Sequence, residues 1–287
     1  MTGHEWRLIE DVDVFLDRAG AFLHARPALH TVPLTVTESL RTHGPHIHGD
    51  GSPVFGVLED GEGEVRAVFF RTPPRRLIVT QLTGVEADGL ARWLAGLGQP
   101  VPGVSGDRDT AAAFAEAWQR HTGAAAALRE RQRLYRLGTL TAPRPVPAGR
   151  ARVATEEDRE QLARWYEEFS DAVGERPPAD PVARVDARIS HGGLTLWEAP
   201  DGTAVSMAGT TLQVGGQVRV APVYTPAHLR GRGYAGAVTA EVSRAALAAG
   251  ATEVLLFTDL ANPTSNGLYR RIGYRPVRDF AVYDFAG

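Results

Sequence analysis

Cysteine and lysine are both missing from this chain of 287 residues, so all 31 of its basic side chains are arginines. The first absence excludes disulfides, thiolate metal sites and thiol nucleophiles. The second excludes Schiff-base chemistry, self-acylation on a lysine side chain, and the G-x-x-x-x-G-K-[ST] loop of P-loop NTPases. An excess of positive charge is missing too. The formal net charge is −3 and Arg75-Arg76 is a short basic run, so no nucleic-acid or anionic-membrane partner is expected. No apolar run approaches the length of a bilayer span, and the first six residues do not read as a secretory signal, which makes the cytoplasm the expected location.

What is present suits a packed protein: 43% of residues are hydrophobic and 23% charged, and the length fits two domains. Residues 11–25 carry Val12, Phe15, Leu16, Ala19, Phe22 and Leu23 at helical spacing, with Pro27 beyond. A second helix is expected over 33–42, then extended segments at 53–58, 64–71 and 76–82. A helix over 85–97, a short apolar segment at 101–104, a helix over 109–120 and a strand over 132–140 complete the first half. Prolines 143, 145 and 147 make 143–149 a stiff linker. Beyond it come a strand at 150–154 and a helix opened by Thr155-Glu156-Glu157-Asp158, burying Leu162, Trp165 and Phe169. A loop at 175–178, a helix at 181–189, strands at 194–198, 203–214 and 217–224, and a closing extended stretch at 274–285 follow. The order of elements occurs twice without a sequence repeat.

The most informative stretch is Tyr224-Thr225-Pro226-Ala227-His228-Leu229-Arg230-Gly231-Arg232-Gly233-Tyr234-Ala235. It joins a strand to a helix whose apolar face is Ala235, Val238, Val242, Ala245 and Ala249, ending at Gly250. Helix N-termini hold unpartnered N–H groups and partial positive charge, and glycines let a phosphate approach them closely. Arg230 and Arg232 add full charges there. Gly231-x-Gly233-x-x-Gly236 also fits a dinucleotide fingerprint, with Asp259 in place for a ribose contact. It stands too late in the chain for a doubly wound sheet. Further on, Asn262-Pro263 starts another helix, and the run Asn262-x-x-Ser265-x-x-Leu268-Tyr269-x-x-x-Gly273-Tyr274 follows a strand over 253–258.

Arg230 to Ala235 resembles the pyrophosphate loop of the GNAT superfamily of N-acetyltransferases, and the run from Asn262 resembles the motif after that family's fifth strand. The resemblance covers the C-terminal half by motif and the N-terminal half by element order. It implies an α/β (α+β) protein of two tandem GNAT-like domains, each a mixed, mostly antiparallel sheet flanked by helices. The expected boundaries are 1–142 for a degenerate first domain and 150–287 for the catalytic one. In the first copy, Thr83-Gly84-Val85-Glu86-Ala87-Asp88 replaces the arginine-glycine loop. Glu86 and Asp88 oppose anion binding there, and the matching later helix carries Trp118 in place of the tyrosine motif.

The same resemblance implies acetyl-CoA as co-substrate, with its pyrophosphate on Arg230, Gly231, Arg232, Gly233, Tyr234 and Ala235. Its pantetheine arm would lie along Val223, Tyr224 and Thr225, beside Asn262, Ser265 and Tyr269. Pro222 cannot donate a ladder hydrogen bond, and it falls where the family splays its fourth and fifth strands. Tyr269 matches the family's general acid, a phenol protonated at neutral pH. The general base stays open among Asp259, Glu198, Tyr224 and a water. The acceptor is expected to be a primary amine, of a small molecule, with Glu167, Glu168, Asp171 and Glu175 bordering its site. A non-catalytic acyl-CoA-binding module and a nicotinamide-dependent oxidoreductase are the alternatives. His43, His46 and His48 sit in a glycine- and proline-rich loop without a further ligand, so no metal is expected.

Overall fold

The computed structural model describes residues 5–49, 51–175, 177 and 180–286; the loop expected over 175–178 lies partly outside them. The chain divides into two compact units. Unit 1 comprises Met1–Leu134, Asp259–Ala261 and Arg278–Gly287, and unit 2 comprises Tyr135–Thr258 and Asn262–Val277. Each has helices on a mixed, mostly antiparallel sheet. Among the described residues no helix is long and apolar enough to cross a membrane.

Unit 1 begins with β1 (Glu5–Ile9), α1 (Val12–His24), α2 (Thr31–His43), β2 (Val54–Glu59), β3 (Val65–Arg71) and β4 (Leu77–Val79). It continues with α3 (Gly84–Gly96), β5 (Gly103–Asp107), α4 (Arg108–Thr122) and the start of β6 (Ala125–Leu137). Asp11 caps α1 by accepting the N–H groups of Asp13 and Val14, each at 2.9 Å, and the stripe Phe15, Ala19 and Leu23 is fully buried. Burying each large side chain of this kind contributes about 1.5–3 kcal/mol. The first strand is absent from the sequence reading. It is five residues long, it pairs with β2 from Glu5↔Glu59 to Ile9↔Phe55, and only Trp6 and Leu8 pack on the core.

Unit 2 repeats that order: β7 (Arg150–Val153), α5 (Arg159–Val173), α6 (Pro181–Ile189), β8 (Leu194–Glu198), β9 (Ala204–Thr210), β10 (Gln217–Tyr224), α7 (Tyr234–Ala248), β11 (Glu253–Asp259), α8 (Pro263–Arg271) and the start of β12 (Tyr274–Ala286). Strand β9 stops four residues before its expected end. The chain turns there through Gly215 and Gly216, both with positive φ, closed by reciprocal 3.1 Å bonds between Val214 and Gln217.

The two long strands depart most from the sequence reading. β6 starts seven residues earlier than expected, and each of β6 and β12 spans 13 residues, roughly 43 Å at strand rise. That exceeds an ordinary strand, and each passes from one unit to the other. In unit 1 the strand order reads β1-β2-β3-β4-β5-β12-β6, and in unit 2 β7-β8-β9-β10-β11-β6-β12. The place after the fifth strand is therefore taken by residues 278–286 of β12 in unit 1 and by the last three residues of β6, 135–137, in unit 2. In unit 1 the insertion is pinned by Phe280↔Asp107 through Asp284↔Gly103 and by a bidentate Arg133–Asp279 pair at 2.6 and 2.8 Å. The segment after β6 lies along unit 2. Gly138 N–H donates to Gly273 and Thr141 N–H to Ile272, each at 3.0 Å, and Trp197 Nε1 donates to Ala148.

Helix α5 of unit 2 is anchored to β7 by charge. Arg152 donates to both oxygens of Asp158, at 2.7 and 2.9 Å, and to Glu198 at 3.0 Å, while Asp158 also accepts the Thr155 N–H at 2.8 Å. The Arg152 guanidinium holds the Asp158 carboxyl below its usual range. A depressed folded pKa stabilises above the unfolded value, about 3.9, and the contribution fades as pH falls through the folded one. Asp158→Asn is predicted to cost about 1–3 kcal/mol at pH 7, with the gap from wild type narrowing below about pH 4. Urea melts at a series of pH values check this; a gap independent of pH contradicts it.

Candidate active site

Strands β10 and β11 are parallel neighbours that separate. They pair at Gln217↔Glu253, Val218↔Val254 and Arg219↔Leu255. Among the described residues no further pair forms, although both strands run on. On the other side, the β10–β9 register shifts between Val220 and Val223. Pro222 sits in that shift and has no N–H to give a ladder. Gly209 of β9 accommodates the displaced chain, since a Cβ there would lie 2.7 Å from the Ala221 carbonyl oxygen. The result is a wedge opening at the C-terminal ends of β10 and β11, with Val223, Tyr224 and Thr225 along one edge.

From the wedge the chain passes through a short 3-10 turn, Ala227–Leu229, and then Gly231 and Gly233, at φ 79° and 85°. These left-handed values are what the two glycines supply. Gly233 is the N-cap of α7, which has no side-chain cap and no acidic residue in its first turn. Arg230 donates Nε to the Thr225 carbonyl at 3.1 Å, and Arg232 reaches the His228 carbonyl at 3.4 Å, so both side chains fold over the loop. Gly236 has another reason to be glycine: a Cβ there would meet Leu268 Cδ1 at 3.1 Å, so α7 and α8 approach closely at that point.

Helix α8 starts as expected, with Pro263 in its first turn and the Asn262 side chain accepting the Ser265 N–H at 3.0 Å. Tyr269 is 8% exposed and lies in the cluster on which Val223, Leu229, Tyr234 and Leu268 also pack. Its ring meets Tyr274 edge-on at 6.1 Å, and burial pushes its phenol up to about 12. The helix is held from below by a network the sequence did not announce. Buried Tyr135 donates its hydroxyl to Asn266 Oδ1 at 2.9 Å and accepts Arg270 Nε at 3.2 Å. Asn266 in turn donates to the Asn262 carbonyl at 2.8 Å.

Of the four carboxylates expected at the acceptor side, Glu168 is the one joined to β10, where it accepts the Tyr224 hydroxyl at 2.7 Å. Burial and that carboxylate push Tyr224 up to about 12, so it stays protonated at neutral pH. Beside it, Ser206 Oγ donates to the Tyr224 carbonyl at 2.9 Å and contacts Thr225 Oγ1 at 2.8 Å. Glu198 is held by Arg150 and Arg152, which keep its carboxyl below the usual range. Asp259 groups with unit 1 and accepts the Ala261 N–H at 2.8 Å. With Gly236 placed for helix packing and a mostly antiparallel sheet, the dinucleotide fingerprint loses its structural context.

The corresponding turn of unit 1 is built differently. Thr83 and Glu86 form a reciprocal capping box on α3, the Glu86 carboxylate accepting the Thr83 N–H at 2.8 Å. Asp88 is ringed by Arg92, Arg120 and His121 at 2.8, 2.9 and 3.0 Å. Among the described residues no three His, Cys, Asp or Glu side chains form a group able to hold a metal.

Residues 201–281 match the FR47-like protein family. In structure, the chain is similar to a GCN5-related N-acetyltransferase from Sphaerobacter thermophilus, at TM-score 0.65 and 20% identity, covering 97% of this chain and 94% of that one. It is also similar to an acetyltransferase of the GNAT family from Colwellia psychrerythraea, at TM-score 0.59 and 13% identity, covering 98% of each. A tandem GNAT protein from the clavulanic acid biosynthesis pathway aligns at TM-score 0.58 and 13% identity, again over 98% of each chain. No curated protein matches the sequence.

The loop geometry yields a direct check. Gly231→Ala meets nothing within 4 Å, and Gly233→Ala only Pro147 at 3.8 Å, so any cost is that of the left-handed backbone. Each is predicted to cost about 1–2 kcal/mol. Equal thermal stability of either variant and wild type contradicts the conformation.

Proposed function

We propose that this chain, which carries the GNAT fold, is an acetyl-CoA-dependent N-acetyltransferase acting on the primary amine of a small molecule. The observation that carries the reading is the wedge between β10 and β11, which leads into an uncapped, acid-free helix N-terminus flanked by Arg230 and Arg232. Such an end offers the N–H groups of Tyr234, Ala235 and Gly236 to a pyrophosphate. The fit is chemical: two left-handed glycines clear the approach, and the first turn has no carboxylate to repel an anion. The open edge at Val223, Tyr224 and Thr225 suits an extended amide-bearing arm, taken as an added strand. Unit 1 is the structural partner, because Glu86 already occupies the equivalent helix start.

Acetyl-CoA supplies the acyl group as a thioester. An N–H from Val223 or Tyr224 polarises the carbonyl oxygen, the role of an oxyanion hole. Glu168, at the wedge, draws a cationic amine toward it and takes the amine proton directly or through water. Tyr269 keeps its proton through the neutral range, because its pKa is about 12, and delivers it to the departing sulfur. The apolar surroundings that raise the phenol also raise a thiolate placed beside it, which keeps the two matched.

Two variants test this. Tyr269→Phe is predicted to lower kcat about a hundredfold or more while leaving acetyl-CoA affinity within about twofold; an unchanged kcat removes Tyr269 from the chemistry. The wild-type rate should show no alkaline limb at the ordinary phenol pKa of about 10. Gly233→Glu is predicted to abolish acetyl-CoA binding by setting a carboxylate against the phosphates, and unchanged affinity refutes the loop assignment.

A further inference from the structure

The Tyr269 hydroxyl makes no hydrogen bond among the described residues: burial alone raises its pKa, and its ring is steadied edge-on by Tyr274. Where that phenol points is therefore decided by where α8 stands. The helix has nine residues, and a helix this short is marginal without tertiary support.

Part of that support is a one-way chain of hydrogen bonds. Tyr135 lies in the part of β6 that belongs to unit 2 and is fully buried. An arginine Nε can only donate, so the 3.2 Å contact with Arg270 makes the Tyr135 oxygen an acceptor. Its single proton is left for Asn266 Oδ1, at 2.9 Å. The Asn266 amide nitrogen then donates to the Asn262 carbonyl at 2.8 Å, the same oxygen that accepts the Asn266 backbone N–H at 3.1 Å. Turning the amide over would set Oδ1 against that carbonyl oxygen, so the order runs Arg270, Tyr135, Asn266, Asn262. One strand hydroxyl thus grips α8 at both ends. Arg270 follows Tyr269 in the last turn, and Asn262 is the N-cap.

Packing does not explain the hydroxyl. Tyr135 shares a cluster with Trp197, Val254, Leu256 and Ile272, where a phenylalanine ring would bury the same apolar surface. A hydroxyl taken out of water is unfavourable unless it is bonded. What the oxygen adds is direction, because a fully satisfied buried network holds its members in one arrangement.

We infer that Tyr135 is a positioning residue, whose hydroxyl fixes the rotation of α8 and so holds the Tyr269 phenol on the departing sulfur. The inference rests on the proposed acetyl transfer and on Tyr269 as its acid.

The test is a double-mutant cycle read by thiol release from acetyl-CoA. The amine probes are n-alkylamines, diamines and amino sugars, and the fastest is carried forward. Tyr135→Phe is predicted to lower kcat about 10–100-fold, the scale of a reacting group set about 1 Å off. Amine KM and acetyl-CoA affinity should stay within about threefold. In a Tyr269→Phe background the same change should lower kcat by less than about twofold, because the two residues act as a unit. Melting temperature should fall equally in both backgrounds, so that lost stability alone does not produce the pattern. Arg270→Gln, on the exposed end of the chain, leaves the core intact and should repeat the pattern with a smaller loss. A kcat loss that persists undiminished in the Tyr269→Phe background, or no loss from Tyr135→Phe, overturns the inference while leaving acetyl transfer standing. Wild-type kcat in Tyr269→Phe alone, or no thiol release with any amine, refutes the proposed role of Tyr269 and the inference with it.

Discussion

The site depends on one broken ladder. Two parallel strands have every reason to continue pairing, and here they stop because β10 is displaced at Pro222 and Gly209 makes room for the displacement. A proline without an N–H and a glycine without a Cβ thereby create an open wedge in the middle of a sheet, where backbone groups are ordinarily consumed. What surrounds it follows from that opening. The loop at Gly231 and Gly233 aims an uncapped helix start at its mouth, Tyr269 stands on the helix that follows β11, and the Tyr224–Glu168 pair covers its α5 face.

The two units close the same helix start in different ways. Both follow the same order of elements. In unit 2 the α7 terminus is left to glycine amides and arginines, whereas in unit 1 Thr83 and Glu86 satisfy each other across α3. Reciprocal capping stabilises the helix locally, and it spends the N–H groups that a phosphate needs.

Local signals carried most of what was legible in the sequence. The cap at Asn262, the stripe of α1 and the proline in β10 all act within a few residues of where they stand, so their spacing was enough. The failures are non-local. β1 is too short for its alternation to register, and it is a strand because β2 pairs with it. The passage of β6 and β12 between units depends on partners more than a hundred residues away. Tyr135 reads as an ordinary strand aromatic until Asn266 and Arg270 are folded onto it, and the hydrogen bond from the Tyr224 hydroxyl to Glu168 has no signal in the sequence.

The central claim is that one helix start, in unit 2 alone, was left open to receive the phosphates of an acyl carrier. Its most direct test is calorimetric titration of the whole chain with acetyl-CoA, run beside NADH and NADPH. The account predicts saturable acetyl-CoA binding at one site per chain and none of either nicotinamide cofactor. Two sites per chain would contradict the closed unit 1, and binding of a nicotinamide cofactor alone would contradict the wedge as an acetyl-CoA site.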